Sequence, residues 1–318
     1  MPQARARAAS AARKPAGPPL GAHVSVAGGL ATCFARAAEI ECAAIQIFVK
    51  NANQWRARPL ADDDAAAFRA AHAASAVGAV MAHSSYLINL ATTDPRLLEQ
   101  SRQALTDELE RCGRLGVAGL VLHPGAHLGA GEEAGLARVS AALAAVLAAV
   151  PEAATHILIE NTAGQGSCLG ARLEHLAAIR QRLTPRERKR VGVCIDTCHA
   201  FAAGYPIHEA AGWRAFLAEL EAGVGLAALA CIHLNDSLRP FASRRDRHAH
   251  IGEGEIGLAA FGRVLAEPAL AGIPMIVETE PGEALAGHRR DLEVLRGLTS
   301  PAASRAAKGR GRRPPPST

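Results

Sequence analysis

Val191-Gly-Val-Cys-Ile-Asp196-Thr-Cys-His199 is a short apolar run that ends in a carboxylate, with an imidazole one helical turn further on. A β-branched run of this length has the pattern of a buried strand in a parallel sheet. The same phrase recurs along the chain. Ala79–Ala82 leads to His83, Leu120–Leu122 to His123 and Ile157–Ile159 to Glu160. Leu229–Ile232 leads to His233, and Pro274–Val277 to Glu278. Successive run ends lie roughly forty residues apart, about one strand, one helix and two loops. Parallel strands finish at one edge of their sheet, so six metal-grade side chains converge at a single mouth. A (β/α)8 barrel keeps its chemistry there.

Working outward, eight strand-helix units fill the body. The expected strands are Gly21–Val24, Ala44–Val49, Ala79–His83, Gly119–His123, His156–Glu160, Val191–Asp196, Ala228–His233 and Ile273–Glu278. Helical spacing falls between them at Leu30–Glu39, Asp62–Ala76, Pro95–Leu115, Glu133–Ala149, Ala171–Arg182, Gly212–Glu221, Leu258–Ala266 and Glu283–Leu298. Asp94-Pro95 reads as an N-cap followed by proline at the first helical position. Eight repeats favour a closed TIM barrel over an open doubly wound sheet, which has fewer strands and a switch point. The barrel is expected over 20–299, with basic, disordered tails at 1–19 and 300–318.

Composition fits an α/β enzyme and narrows its partners. Of 318 residues 49% are hydrophobic and only 3% aromatic. No apolar run reaches the roughly eighteen residues of a membrane span. The N-terminus lacks the apolar core of a secretory signal, although its Arg-rich, acid-free character is also that of an organellar transit peptide. The formal charge of +5 belongs to the tails. Arg5, Arg7, Arg13 and Lys14 give the first tail +4, and Arg305, Lys308, Arg310, Arg312 and Arg313 give the second +5, which leaves the body at −4. The tails either solubilise the chain or attach it weakly to nucleic acid. Seven scattered cysteines form no paired framework, so they read as packing residues in a reducing compartment.

The ligand set extends beyond the strand ends. His199 follows Asp196 by one turn, and Asp246-Arg-His248 sets two more donors on one side of an extended segment. His83, His123, Glu160, Asp196, His199, His233, Asp246, His248 and Glu278 supply nitrogen and oxygen donors without a thiolate. That set suits Zn²⁺, Mn²⁺ or Fe²⁺. Nine donors exceed one ion's needs and imply two or three ions, a carboxylate bridging. A single such residue at a strand end more often caps a helix or satisfies a backbone group. Six on consecutive strands would be costly to bury together without cations. His23, His127 and His250 lie near the mouth and are candidates for supporting the ligands. His72, His156, His175, His208 and His288 read as ordinary. Gly252-Glu-Gly254-Glu-Ile-Gly257 matches a dinucleotide-binding pattern, but it follows a charged loop and its glutamates repel a pyrophosphate. It reads as a turn.

Together these segments resemble the endonuclease IV family of apurinic/apyrimidinic endonucleases. The likeness covers essentially all of Gly21–Glu280, in matching order and spacing. It includes Gly21-Ala-His-Val-Ser-Val-Ala-Gly-Gly29, Phe48-Val-Lys-Asn51 with Gln54-Trp55, and His83-Ser-Ser-Tyr-Leu-Ile-Asn-Leu-Ala91. It continues through His123-Pro-Gly-Ala-His127, Glu160-Asn-Thr-Ala-Gly-Gln-Gly166, Val191 to Tyr205, His233-Leu-Asn-Asp236, Ser243-Arg-Arg-Asp-Arg-His248, Ile251-Gly-Glu-Gly254 and Glu278-Thr279.

The resemblance implies a zinc-dependent deoxyribonuclease IV (phage-T4-induced type) with three Zn²⁺ per chain, Mn²⁺ being acceptable at one site. His83, His123 and Glu160 would hold the first ion. Glu160 would bridge to a second, completed by Asp196, His233 and Glu278, and His199, Asp246 and His248 would hold the third. Glu160 and Glu278 would be catalytic. The implied reaction is hydrolysis 5′ to an abasic site in duplex DNA, leaving a 3′-hydroxyl and a 5′-deoxyribose phosphate, with trimming of 3′-blocked ends by the same chemistry. Tyr86 and Leu87 would wedge into the duplex, and Lys50, Asn51, Gln54 and Trp55 would contact DNA. A bacterial, cytoplasmic monomer that meets the nucleoid through DNA is implied. Asn53, Leu238 and Pro206 depart from the family pattern, which bears on DNA contacts and touches no proposed ligand. The competing readings are a metal-dependent sugar isomerase or epimerase on the same barrel, and a non-catalytic damage-binding protein.

Overall fold

The computed structural model describes residues 17–299, so apart from 17–19 both expected tails lie outside the described residues. All eight expected strands form, and they close into a parallel barrel. They are β1 (Leu20–His23), β2 (Ala44–Ile47), β3 (Ala79–His83), β4 (Gly119–Leu122), β5 (His156–Glu160), β6 (Val191–Asp196) and β7 (Leu229–His233), then β10 (Met275–Val277), which closes on β1. Between β7 and β10 a two-stranded antiparallel ribbon pairs β8 (Asp236–Ser237) with β9 (His248–Ala249). The long segment expected there as a loop is therefore clamped at both ends.

Helices surround the barrel: α1 (Cys33–Glu39), α2 (Asp62–Ala74), α3 (Pro95–Leu115), α4 (Glu132–Ala149), α5 (Leu173–Gln181), α6 (Pro185–Arg188), α7 (Thr197–Ala203), α8 (Ala210–Gly223), α9 (Leu258–Ala266) and α10 (Ala286–Thr299). α3 matches its expected bounds because both ends are signalled locally. Asp94 accepts from the amides of Arg96 at 2.8 Å and Leu97 at 3.3 Å, and Gly116 ends the helix in the left-handed region at φ 75°. The sequence reading has no separate α6 or α7. α6 spans four residues held by a Thr184–Glu187 capping box, too short for a periodic signal. The expected helix from Leu30 opens as a 3₁₀ turn over Leu30–Thr32.

Alternation along each strand divides the core in two. One cluster lies between barrel and helices, with Phe68, Leu105, Leu120, Ile157 and Phe261 among its members. A separate inner cluster takes one side chain from each of seven strands: Ala44, Met81, Val121, Leu158, Cys194, Cys231 and Ile276. Layers of this kind fill a TIM-barrel interior. On β1 the corresponding place is Gly21, where a Cβ would come within 1.5 Å of the Ala44 carbonyl oxygen. β1 can approach β2 that closely only with glycine there.

Asp94→Ala removes a cap without touching the mouth. It should cost about 1 kcal/mol, lowering the melting midpoint by about 2 °C, with activity unchanged. Calorimetry that shows no loss would mean that Pro95 and the packed face of α3 fix the helix start unaided.

Candidate metal centre

A pleat repeats every two residues, so the next inward layer stands two positions beyond the inner cluster. Strand by strand that layer is Gln46, His83, His123, Glu160, Asp196, His233 and Glu278, and on β1 it is His23. The mouth is thus lined by one complete barrel layer, all of it polar. Six of its members are the sequence-predicted strand-end donors.

Glu160 sits at the centre, fully buried. His83 Nε2 lies 3.3 Å and His123 Nε2 2.9 Å from its Oε2, while His233 Nδ1 lies 2.9 Å and His199 Nδ1 3.3 Å from Oε1. Burial alone would raise this carboxyl, but the surrounding imidazoles overcome it and hold Glu160 well below the usual range. A second group forms around His233 Nδ1, with Glu278 Oε2 at 3.1 Å and Asp196 Oδ2 at 4.0 Å. A third is made outside the barrel wall. Asp246 spans His199 Nε2 at 3.1 Å and His248 Nε2 at 3.2 Å, and His248 Nε2 is 3.7 Å from Asp196 Oδ2. His83, His123 and Glu160 offer donor atoms within 4.8 Å of one another, as do Glu160, Asp196, His233 and Glu278, and Asp196, His199 and His248. Asp246 joins His248 in a fourth such grouping, together with Cys198. Burial pushes the Cys198 thiol up to about 12, so at neutral pH it is a poor ligand.

The donors are aimed by their outer partners. His83 Nδ1 donates to the Ser84 carbonyl at 2.8 Å and His199 Nδ1 to the Asn161 carbonyl at 2.9 Å, which leaves each Nε2 bare toward the cluster. Asp196 does two jobs. Its Oδ1 accepts from the amide of His199 at 2.7 Å and caps α7, while Oδ2 takes a bond from Asn235 Nδ2 at 2.6 Å and faces the ring. The capping role and the ligand role are compatible in one side chain. His248 Nε2 is buried and finds no hydrogen-bond partner, in spite of its closeness to Asp246. Two donors on one zinc, each about 2.0–2.2 Å from it, stand roughly 3–3.5 Å apart, close to the spacings within each group. The donor chemistry, these spacings and the orphaned nitrogen fit divalent cations.

Other expected site residues are placed as follows. Tyr86 is 62% exposed at the mouth, its ring 5.4 Å from that of His83 and 5.5 Å from that of Phe48, and Leu87 beside it is half-buried. A cavity of about 250 Å³ opens between Tyr86, His123, Gln165, His199 and Asp246. Asn51 and Gln54 are exposed and Trp55 half-buried. Lys50 is a correction to the expected surface contact. Its ammonium is buried, 3.2 Å from Glu108 and donating to the Trp55 carbonyl at 3.0 Å, so it braces this loop from inside. Of the three supporting histidines, His23 joins the ring, 3.6 Å from Glu278. His127 accepts from the Gly131 amide and His250 pairs with Asp291, both away from the donors. The glycine turn wraps a carboxylate of its own: amides of Gly252, Gly254 and Ile256 all donate to buried Asp236. Those three amides point inward onto Asp236 and not outward toward a pyrophosphate.

Gln46 is the functional residue that the sequence reading lacks. It is fully buried and bonded to His23, His233 and Glu278. The period of two from Ala44, set against Met81 to His83 on the neighbouring strand, is the signal that finds it.

Comparison with known proteins agrees with this architecture. The model of the xylose isomerase-like TIM barrel family matches residues 34–298. "Probable endonuclease 4" of Chloroflexus aurantiacus is 48% identical over 281 residues, 88% of this chain and 98% of that protein. The crystal structure of endonuclease IV from Thermus thermophilus superposes with a TM-score of 0.78 at 36% identity, covering 88% of this chain and 98% of that one. A D-tagatose 3-epimerase-like protein, 18% identical with a TM-score of 0.69 over 90% of this chain and 99% of its own, shares the fold alone. With its barrel, its ring of donors and relatives of this closeness, the chain belongs to the endonuclease IV family within the xylose isomerase-like TIM barrels.

Proposed function

We propose that this chain is a DNA-repair endonuclease that hydrolyses the phosphodiester 5′ to an abasic site in duplex DNA, leaving a 3′-hydroxyl and a 5′-deoxyribose phosphate, with three Zn²⁺ as its resident cofactor. One observation carries the reading: three donor groups share the carboxylates of Glu160 and Asp196 at one mouth. His83, His123 and Glu160 would hold the first ion. Glu160, Asp196, His233 and Glu278 would hold the second, and His199, Asp246 and His248 the third. Imidazole-rich groups favour zinc, and the carboxylate-rich middle group also suits Mn²⁺. When bound, such cations neutralise the phosphate and leaving oxygen and bring the acidity of water toward neutral pH.

The chain's own residues supply position and selectivity. Glu160 spans two donor groups and fixes their separation. Glu278, whose side chain is 13% exposed, can accept a hydrogen bond from the attacking water and keep it in line. The exposed ring of Tyr86, with Leu87, is suited to enter the stack where no base pairs, since unstacking costs least there. Asn51, Gln54 and Trp55 flank this wedge and would contact the duplex. The same groups acting on a 3′-terminal phosphate or phosphoglycolate-type block would trim that end. The catalytic unit would be 20–299, acting as a monomer in the cytoplasm on nucleoid DNA, with the basic tails adding electrostatic attachment. No described helix is long and apolar enough to cross a membrane.

Duplex DNA with one abasic analogue, resolved on a denaturing gel, tests this directly. One cut 5′ to the lesion is expected, abolished by chelation and restored better by zinc than by magnesium. Glu160→Gln should slow incision by several orders of magnitude while abasic-DNA binding largely survives. Intact DNA together with aldose–ketose turnover would transfer the chain to the isomerases.

A second test reads stability against pH. In the metal-free protein His199 and His233 are raised well above the usual imidazole value of 6.5, His83 is raised, and His248 rises to about 9. In each case burial opposes the shift and the neighbouring carboxylates prevail. For His248 that stabilisation is full below pH 6.5 and is lost as pH rises through about 9, and for the other three it is likewise full below pH 6.5 and lost as pH rises through their raised values. Zinc instead takes the neutral imidazoles, so its affinity rises with pH. The gap in melting midpoint between zinc-loaded and chelated protein should therefore widen from pH 6.5 to about 9. A constant gap would remove these rings from the metal centre.

A further inference from the structure

Three of the four hydrogen-bonding positions on the Gln46 amide are occupied. Its nitrogen donates to Glu278 Oε1 at 2.5 Å and to His23 Nδ1 at 3.1 Å, and its oxygen lies 2.9 Å from His233 Nε2. The orientation of the amide follows by elimination. An ionised carboxylate can only accept, so the group facing Glu278 must be the NH₂. The amide oxygen then faces His233, and an oxygen can only accept from that ring, so Nε2 carries the proton. A neutral His233 in this tautomer has a bare Nδ1. That nitrogen points between Glu160 Oε1 at 2.9 Å and Glu278 Oε2 at 3.1 Å, with Asp196 Oδ2 beyond at 4.0 Å. Asn235 Nδ2 donates to Asp196 Oδ2 at 2.6 Å and to Glu278 Oε2 at 3.4 Å, and the lone pairs that remain on these four acceptors call for positive charge between them.

We infer that Gln46 is a positioning residue that holds His233 in the Nε2–H tautomer and Glu278 in line, and so prepares the middle donor group for a divalent cation. The inference rests on the metal reading proposed above and adds a residue which that reading does not contain. The opposite tautomer, Nδ1–H, would bond the proton to Glu160 and fill the place of the ion. Gln46 prevents this through one amide that is itself locked by two further bonds. Outer partners of metal-bound histidines are commonly carbonyls or carboxylates, and their loss weakens metal affinity 10–100-fold. Here a side-chain amide serves, and it couples the histidine to the carboxylate of the same group. His23 completes the lock. Its Nδ1, 3.1 Å from the Gln46 nitrogen, is the acceptor that the second amide hydrogen needs.

The test counts zinc. Full-length chain loaded with zinc is dialysed against a graded series of chelator concentrations, and the zinc retained per chain is measured by atomic emission. Gln46→Leu removes all three bonds at similar volume. It should lose one ion per chain at a chelator concentration 10–100-fold below that which strips the parent. Gln46→Glu keeps an acceptor opposite His233 Nε2–H, so it should retain that ion, while incision falls because Glu278 now faces a like charge. If Gln46→Leu keeps zinc as the parent does, or Gln46→Glu releases the ion as readily as Gln46→Leu, Gln46 does not set the tautomer. A parent that retains no zinc at any chelator concentration overturns the metal reading and this inference together, whereas a normal parent with unaltered variants overturns this inference alone.

Discussion

The carboxylate of Glu160 is the point around which this molecule is arranged. It is wholly buried, yet four imidazole nitrogens from β3, β4, α7 and β7 lie within 3.3 Å of its two oxygens. A buried carboxylate without compensation is among the most expensive groups a fold can hold. The surrounding histidines compensate it only where they are protonated or share cations with it. Both conditions require the rings to be held in place by something other than Glu160. The barrel provides that. His83, His123 and His233 each follow an inward residue packed in a closed apolar layer, His199 is set by the Asp196 cap of α7, and the rings of His83, His199 and His233 are each tied to a carbonyl or an amide oxygen. Removing the pleat register would scatter the donors; removing the donors would leave a polar layer in a barrel interior with nothing to neutralise it.

Chemistry beyond the shared barrel comes from two short additions. α7 carries His199 directly after the Asp196 cap, and the β8–β9 ribbon holds Asp246 and His248 against it. These elements supply the third donor group, which lies outside the strand-end layer. Asp236, gripped by three amides of the glycine turn, anchors the ribbon's far end. The common barrel therefore accounts for two donor groups, and the likeness to an epimerase-like structure at 18% identity extends to the fold only.

Much of this was legible in the sequence because strand-end polarity is a local signal. A β-branched run followed by His, Asp or Glu announces both the strand and the direction of its last side chain, and all six such donors reach the mouth. α3 was readable to the residue because Asp94-Pro95 and Gly116 mark its ends. Other features depend on contacts that no local pattern records. Gln46 ends no apolar run and is flanked by Ile45 and Ile47, so it looks like an interruption until the strand register sets it beside His83. Lys50 looks like a surface cation, and only Glu108, distant in sequence on α3, explains its burial. Burial holds Glu108 itself up to about 7 although Lys50 opposes the shift, which shows how dry that corner is. The ribbon was hidden because two residues per strand are too few for any periodicity.

In the proposed centre one buried carboxylate, Glu160, would bridge two of three ions. Crystals of the zinc-loaded chain, measured above and below the zinc absorption edge, test it most directly. Three anomalous peaks per chain are expected, two of them beside Glu160 and the third between His199, Asp246 and His248. A single peak, or peaks that leave Glu160 unligated, would contradict it.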